Sequence, residues 1–173
     1  MKTLLVMVAF VSQTLCFAAK QLPTVSQVEV ERYVGKWNAV AALPQRFTKK
    51  CIAQTADYEL IGEGTVSVLN TCIKKHGKTK TIEGKAVVKN KLTNASLEVT
   101  FDNFWTKLFR VKGDYQILKL DENYEYVLVG SNNKKSLWIM SRETSMPAEV
   151  FQEYVDYAKT LGFETSELVI SKF

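Results

Sequence analysis

Apolar and polar residues alternate in one segment after another from Gly35 onward. In residues 95–102, for example, Leu97, Val99 and Phe101 fall on one face, and the residues between them are polar. Alternation with a period of two over short segments predicts half-buried antiparallel strands. We expect eight strands, at residues 34–43, 51–60, 65–73, 80–89, 95–102, 112–120, 124–130 and 135–142.

One helix is predicted after the last of these strands. Pro147 suits the first helical position, and apolar residues then recur at helical spacing until Gly162. A last short strand is predicted at 168–171, and residues 19–33 are interpreted as an N-terminal arm. Eight antiparallel strands joined by short turns form either a sandwich or a barrel, and an eight-stranded barrel is just wide enough for one small ligand.

The beginning of the chain, residues 1–18, has the features of a secretory signal peptide. A positive charge precedes an apolar run that ends in small residues, so we place cleavage after Ala18 and the mature domain at 19–173. Leu15, directly before Cys16, is not the small residue that lipoprotein processing requires, which disfavours a lipid anchor there. We therefore expect an exported protein that is either periplasmic or secreted. A periplasmic protein could also associate with the outer membrane.

Export makes the cysteine count informative. Of the three cysteines, Cys16 leaves with the signal peptide, and Cys51 and Cys72 remain. An even pair in an oxidising compartment predicts one disulfide, with two free thiols as the alternative.

Three short motifs resemble signatures of the lipocalin family. Residues 35–37, Gly-Lys-Trp, resemble the G-x-W motif of the first strand, and residues 55–58 resemble the second signature. The segment LWIMSR, which ends at Arg142, resembles the third. The resemblance is closest to the bacterial and apolipoprotein D-like branch and covers about residues 30–171. It implies an all-β fold: an eight-stranded antiparallel up-and-down barrel, open at one end, with one C-terminal α-helix on its side.

The resemblance also implies structural roles for the signature residues. In lipocalins the tryptophan closes one end of the barrel and the arginine lies over its ring, a cation–π contact worth ~0.5–2 kcal/mol. Trp37 and Arg142 occupy these positions, with Gly35 two residues before the tryptophan. We assign all three to the architecture. Asn38 and Ala39 stand where the family usually has Tyr-Glu, which leaves the ligand preference open.

Strand parity predicts which side chains face the barrel interior. With Trp37 inward, alternate residues of the first strand are inward too, and their small side chains leave volume above the indole. The resulting interior carries no charge and suits an apolar ligand, whereas a packed core without a cavity is the alternative. The predicted ligand-binding residues are Ala39, Ala41, Tyr58, Val68, Asn70, Ala86, Val88, Val99, Phe101, Tyr115, Ile117, Val129, Trp138 and Met140.

The loops at one end of the predicted barrel are strongly basic. Residues 44–50, 74–80, 103–111 and 131–135 contain eleven lysines and arginines and no acidic residue. Aromatic residues lie among them, and with export this combination favours contact with anionic lipid headgroups over nucleic acid. The predicted rim and membrane-contact residues are Arg46, Phe47, Lys49, Lys50, Trp105, Phe109 and Arg110.

These features predict a binding protein that stores or transports a fatty acid or lysophospholipid, and not an enzyme. The sequence contains no catalytic motif or metal-ligand cluster, and its one histidine, His76, lies in a lysine-rich loop. We predict no cofactor; the expected partners are the small hydrophobic ligand and an anionic membrane surface. Two alternatives stay open: a lipocalin-fold enzyme that acts on a lipid, and a membrane- or partner-docking module whose cavity is vestigial.

Overall fold

Eight antiparallel strands close into a barrel in the computed structural model, which describes residues 21–45, 48, 50–102 and 112–173. Each strand pairs with the next along the chain, and β1 pairs with both β2 and β8, which closes the sheet. The predicted barrel and its strand order are confirmed. The strands are β1 (Gly35–Ala42), β2 (Cys51–Gly62), β3 (Thr65–Lys74), β4 (Thr79–Val88), β5 (Ser96–Phe101), β6 (Lys112–Leu120), β7 (Tyr126–Gly130) and β8 (Leu137–Ser141).

The other regular elements lie outside the barrel wall. Helix α1 (Val30–Tyr33) is a single turn in the N-terminal arm, and helix α2 (Ala148–Thr160) follows β8. Strand β9 (Val169–Ile170) pairs with β1, and short 3-10 turns occur at Lys75–Gly77 and Thr165–Glu167. The C-terminal helix and last short strand were predicted. The sequence analysis missed α1, because four residues are too few to show helical periodicity.

Helix α2 lies against the barrel because one of its faces is apolar. Tyr154 and Ala158 are buried on that face, and the opposite face carries charged residues. The helix begins one residue later than predicted, with Pro147 in the capping position. It ends before Gly162, whose φ of +83° is a left-handed conformation that favours glycine.

The barrel wall separates two apolar clusters. The inner cluster fills the closed part of the barrel and includes Trp37, Val127 and Val129. The outer cluster lies between the wall and α2 and includes Ile139 and Tyr154. Each large side chain that is fully buried in either cluster contributes ~1.5–3 kcal/mol of transfer free energy.

A bulge in β1 overturns the parity prediction for Ala41. Ala39 pairs with Met140, but Ala41 pairs with Ile139, so Val40 is an extra residue on β1. The extra residue reverses the alternation, and Ala41 lies in the outer cluster beneath α2. The prediction that Ala41 faces the interior is therefore wrong.

A second bulge explains the irregular alternation at the end of β6. Ile117 pairs with Val129 and Lys119 pairs with Leu128, so Leu118 is the extra residue. Leu118 joins the outer cluster, while Ile117 stays in the inner one. Both bulges turn one apolar residue of the wall toward the helix side.

A disulfide joins Cys51 and Cys72, as predicted. Their Cα atoms are 5.3 Å apart on the neighbouring strands β2 and β3. Cys72 pairs with Gln54, and a register shift between Cys51 and Ala53 brings Cys51 within reach of it. The link lies at the open end of the barrel.

The closed end is organised around Trp37, whose side chain is fully buried. Its Nε1 donates to the Tyr33 carbonyl oxygen at 2.8 Å, and the Arg142 guanidinium carbon lies 3.8 Å from the centroid of its ring. Gly35 has a φ of +94°, and a Cβ there would lie 3.4 Å from Arg142 Nη1. The guanidinium also donates to the backbone carbonyls of Arg32, Tyr33, Lys36 and Tyr124.

Replacing Arg142 by alanine should destabilise the barrel more than it weakens ligand binding. The variant loses the contact over Trp37 and hydrogen bonds to four carbonyls, so we expect the free energy of unfolding to fall by about 1–3 kcal/mol. Urea unfolding followed by circular dichroism measures the change.

Arg142→Lys is the matched control for this experiment. It keeps the positive charge but loses the planar fork of donors, so it should recover only part of the lost stability. Unchanged stability of Arg142→Ala together with lost ligand binding would show that this side chain contacts the ligand instead.

Candidate functional site

A cavity of about 580 Å³ lies inside the barrel. This volume falls in the range of ~300–1,000 Å³ that is typical of small-molecule sites. Its wall is mostly apolar, and alanines at positions 39, 56 and 86 leave space that larger side chains would fill. The barrel interior is therefore an open site and not a fully packed core.

Most of the residues that were predicted to face the interior lie on the cavity surface. Val88 and Val129 also face inward, but they belong to the packed inner cluster and do not line the cavity. The predicted residues that line it are Ala39, Tyr58, Val68, Asn70, Ala86, Val99, Phe101, Tyr115, Ile117, Trp138 and Met140.

The N-terminal arm supplies cavity residues that the sequence analysis missed. Val28, Val30 and Tyr33 line the cavity. The Val28 amide donates to the Thr93 carbonyl at 2.8 Å, which ties the arm to the loop before β5. The alternation of Val28 and Val30 with glutamates was the available signal, but it is too short to show on which side of a barrel the arm lies.

Three tyrosines form a hydroxyl cluster at the inner end of the cavity, next to Trp37. The Tyr33 and Tyr115 hydroxyl oxygens are 2.6 Å apart, and those of Tyr58 and Tyr115 are 3.1 Å apart. Burial raises the pKa of Tyr58 to about 12 and the pKa values of Tyr33 and Tyr115 well above their ordinary value. All three phenols therefore stay neutral at physiological pH.

The outer end of the cavity carries the charged groups that strand parity had not included. Lys80, Lys112 and Asp114 line this end. Lys112 pairs with Glu98 at 2.9 Å, and the Asp114 carboxylate accepts a hydrogen bond from the Asn132 amide. Lys80 forms no ion pair with any described residue, so it is the lysine best placed to meet an anionic group of a ligand.

The predicted basic rim is described only in part. Lys50 is exposed, but Arg46, Phe47, Lys49, Trp105, Phe109 and Arg110 lie outside the described residues. Lysines 74, 75, 78 and 80 follow one another along the turn between β3 and β4 at this end. The loop-based prediction of an acid-free rim missed Asp114, because that residue lies within β6.

In residues 21–45, 48, 50–102 and 112–173, no group of three or more His, Cys, Asp or Glu side chains could hold a metal ion. Within the same ranges, no helix combines the length and apolarity that a membrane crossing requires.

Comparison with known proteins agrees with this architecture. A family model described as a lipocalin-like domain matches residues 28–172. Temperature-induced lipocalin-1 of Arabidopsis thaliana is 36% identical, with 86% of this chain and 81% of the relative covered. The outer membrane lipoprotein Blc of Vibrio cholerae is 33% identical, with 84% and 82% covered. The structure of insecticyanin from Manduca sexta matches in fold, with a TM-score of 0.69, 18% identity, and 89% and 85% covered.

The matched family model spans the barrel, the helix and the short strand that follows it, and the signature residues Trp37 and Arg142 lie within it. The bacterial relatives and apolipoprotein D from cattle match over most of their own length. The chain therefore belongs to the lipocalin family, in the branch of the bacterial Blc lipoproteins and apolipoprotein D.

Proposed function

We propose that this lipocalin binds a fatty acid or a lysophospholipid, with the acyl chain in the barrel and the anionic head at the mouth. The distribution of charge in the cavity is the observation that carries the proposal. The wall is apolar or neutral along its depth, and its charged residues lie at the outer end. Lipocalins generally bind small hydrophobic ligands, so the proposal refines a property of the family.

The expected affinity comes from burial of the acyl chain. Each methylene that leaves water for the cavity contributes ~0.8 kcal/mol. A carboxylate or phosphate would lose its hydration without an opposite charge if it entered the apolar part of the barrel. At the mouth it stays hydrated and lies near Lys80, which shares the inward parity of Ile82 on β4.

We further propose that the protein is exported, with its signal peptide at residues 1–18 and its binding domain at 19–173. The disulfide between Cys51 and Cys72 supports an oxidising compartment. The bacterial relatives are outer membrane lipoproteins, which supports the periplasmic side of this proposal.

The state of the cysteines removes one route to catalysis. A free thiol in the cavity would have pointed to an enzyme. Cys72 lines the cavity, but its sulfur is bonded to Cys51. No described residue therefore offers a cysteine nucleophile there.

Filling the cavity should weaken binding strongly without unfolding the barrel. Ala86 lines the cavity, so Ala86→Trp should weaken binding of hexadecanoic acid by about 10-fold or more, as isothermal titration calorimetry would measure. The matched control is Val87→Trp, which adds a similar ring on the outer face, where Val87 is 44% exposed. Full binding by a folded Ala86→Trp variant would place the ligand elsewhere.

Removing the mouth lysine should weaken binding of a charged ligand only. We expect Lys80→Gln to lower the affinity for hexadecanoate by about 5-fold, close to 1 kcal/mol, and to leave the affinity for uncharged hexadecanol unchanged. Lys85→Gln, on the outer face of the same strand, is the control and should change neither affinity. Equal losses for both ligands would argue against a head group at the mouth.

A second candidate function is docking of the mouth to an anionic membrane. Lys75 and Lys78 are exposed at the tip of the β3–β4 turn, and neither forms an ion pair with a described residue. Each lysine close to an anionic surface contributes about 1 kcal/mol. The predicted rim aromatics Phe47, Trp105 and Phe109 would enter the interface beside them.

Vesicle flotation tests this docking. Wild type should bind vesicles that contain anionic lipid at low salt and dissociate as salt rises. Lys75→Gln/Lys78→Gln should weaken binding by about 30-fold at low salt, and Lys89→Gln/Lys91→Gln, with the same charge change at the closed end, should have little effect. If wild type does not bind anionic vesicles at low salt, the docking proposal is wrong.

A further inference from the structure

The three tyrosines at the inner end of the cavity have more hydrogen-bonding capacity than the fold uses. We propose that Tyr33, Tyr58 and Tyr115 form a polar subsite that binds an oxygen atom at the buried end of the ligand. This inference rests on the proposed function, because it concerns the same cavity. It adds a ligand class: amphipathic chains with a hydroxyl or carbonyl group at the end opposite the anionic head.

The number of protons in the cluster requires a further acceptor. Three phenols carry three hydroxyl protons, but only two hydrogen bonds join them, Tyr33 with Tyr115 and Tyr58 with Tyr115. In every arrangement of donors and acceptors, one O–H group therefore has no acceptor within the cluster. The three hydroxyls form no other hydrogen bond with the described residues. Because all three side chains line the cavity, a molecule in the cavity can supply the missing acceptor.

The cluster is held in place before any ligand arrives. The Tyr33 and Tyr58 rings are stacked with their centroids 6.0 Å apart, and Tyr115 meets Tyr58 edge-on at 6.2 Å. Tyr33 in turn packs on Trp37, at 5.4 Å between centroids. Donors that are fixed in this way lose little conformational entropy when a ligand binds.

The neutral state of the phenols favours a neutral oxygen as the partner. Burial disfavours ionisation and raises the pKa of all three, so they remain donors across the physiological pH range. No described lysine or arginine lines the cavity at this depth. The Arg142 charge acts on Tyr33, but its guanidinium is held over Trp37 by hydrogen bonds to four backbone carbonyls, so a carboxylate here would have no ion-pair partner in the cavity wall. A hydroxyl or carbonyl oxygen needs only the hydrogen bond.

The subsite changes how the protein should discriminate between ligands. A hydroxyl group that moves from water into a fully apolar cavity loses its hydrogen bonds, which lowers affinity. A hydroxyl group that meets the tyrosine cluster replaces those bonds, and the chain of hydroxyls strengthens the terminal donor. The protein should therefore accept an oxygen at the chain end that an apolar barrel would reject.

The test compares saturated fatty acids with their ω-hydroxy counterparts by calorimetry, for decanoic, dodecanoic, tetradecanoic and hexadecanoic acid. One of these acids has a chain long enough to reach the tyrosines. In wild type, the ω-hydroxy form of this acid should bind at least as tightly as its parent. In Tyr33→Phe/Tyr58→Phe/Tyr115→Phe, the same ω-hydroxy acid should bind about 10-fold more weakly than its parent. Removing all three hydroxyls together leaves no buried partner unsatisfied, so the variant should fold.

Tyr157→Phe is the matched control, because it removes a hydroxyl group from α2, outside the barrel. It should keep the wild-type ratio between the two acids. If the triple variant does not fold, the affinities of wild type for the two kinds of acid still test the subsite. A wild type that binds every ω-hydroxy acid about 10-fold more weakly than its parent overturns the subsite and leaves the proposed function standing. If wild type binds no fatty acid, with or without the hydroxyl, the fatty-acid part of the proposed function fails and the subsite fails with it.

Discussion

The pairing of β1 on both of its edges is the constraint on which the rest of the structure depends. It joins β2 on one side and β8 on the other, and this double pairing turns an eight-stranded sheet into a barrel. The same strand carries Trp37, which fills the closed end, and Ala39, which leaves space above it. A ligand cavity exists here because β1 closes the wall and because its inward side chains become smaller from Trp37 to Ala39.

The bulge at Val40 divides β1 between two tasks. Below it, Ala39 faces the cavity; beyond it, Ala41 faces α2, where Tyr154 and Ala158 pack on the wall. A larger residue at Ala41 would disturb the packing of the outer cluster and would not block the ligand. The two alanines on either side of the bulge thus have opposite roles. Ala39 leaves an empty volume in the cavity, whereas Ala41 permits close packing in the outer cluster.

Polarity also changes in a fixed order along the cavity. Neutral hydroxyl groups lie at the floor, mostly apolar side chains with some neutral polar ones form the wall, and charged groups lie at the mouth. Low polarity along the wall strengthens any hydrogen bond at the floor, because water does not compete with it there. Under the proposed function and subsite, the ligand would be polar at both ends, with the charge on the end that stays near water.

The sequence by itself determined the barrel, the helix and most of the cavity wall, because strand alternation and the motifs around Trp37 and Arg142 are local patterns. Only the tertiary structure decided the positions of the bulges, which reverse alternation at Ala41 without any change in composition. It also decided that the N-terminal arm brings Tyr33 to Tyr115, two residues that are far apart in the chain. Such contacts depend on how strands and arm are placed in three dimensions, and side-chain periodicity records only which face of a single strand a residue occupies.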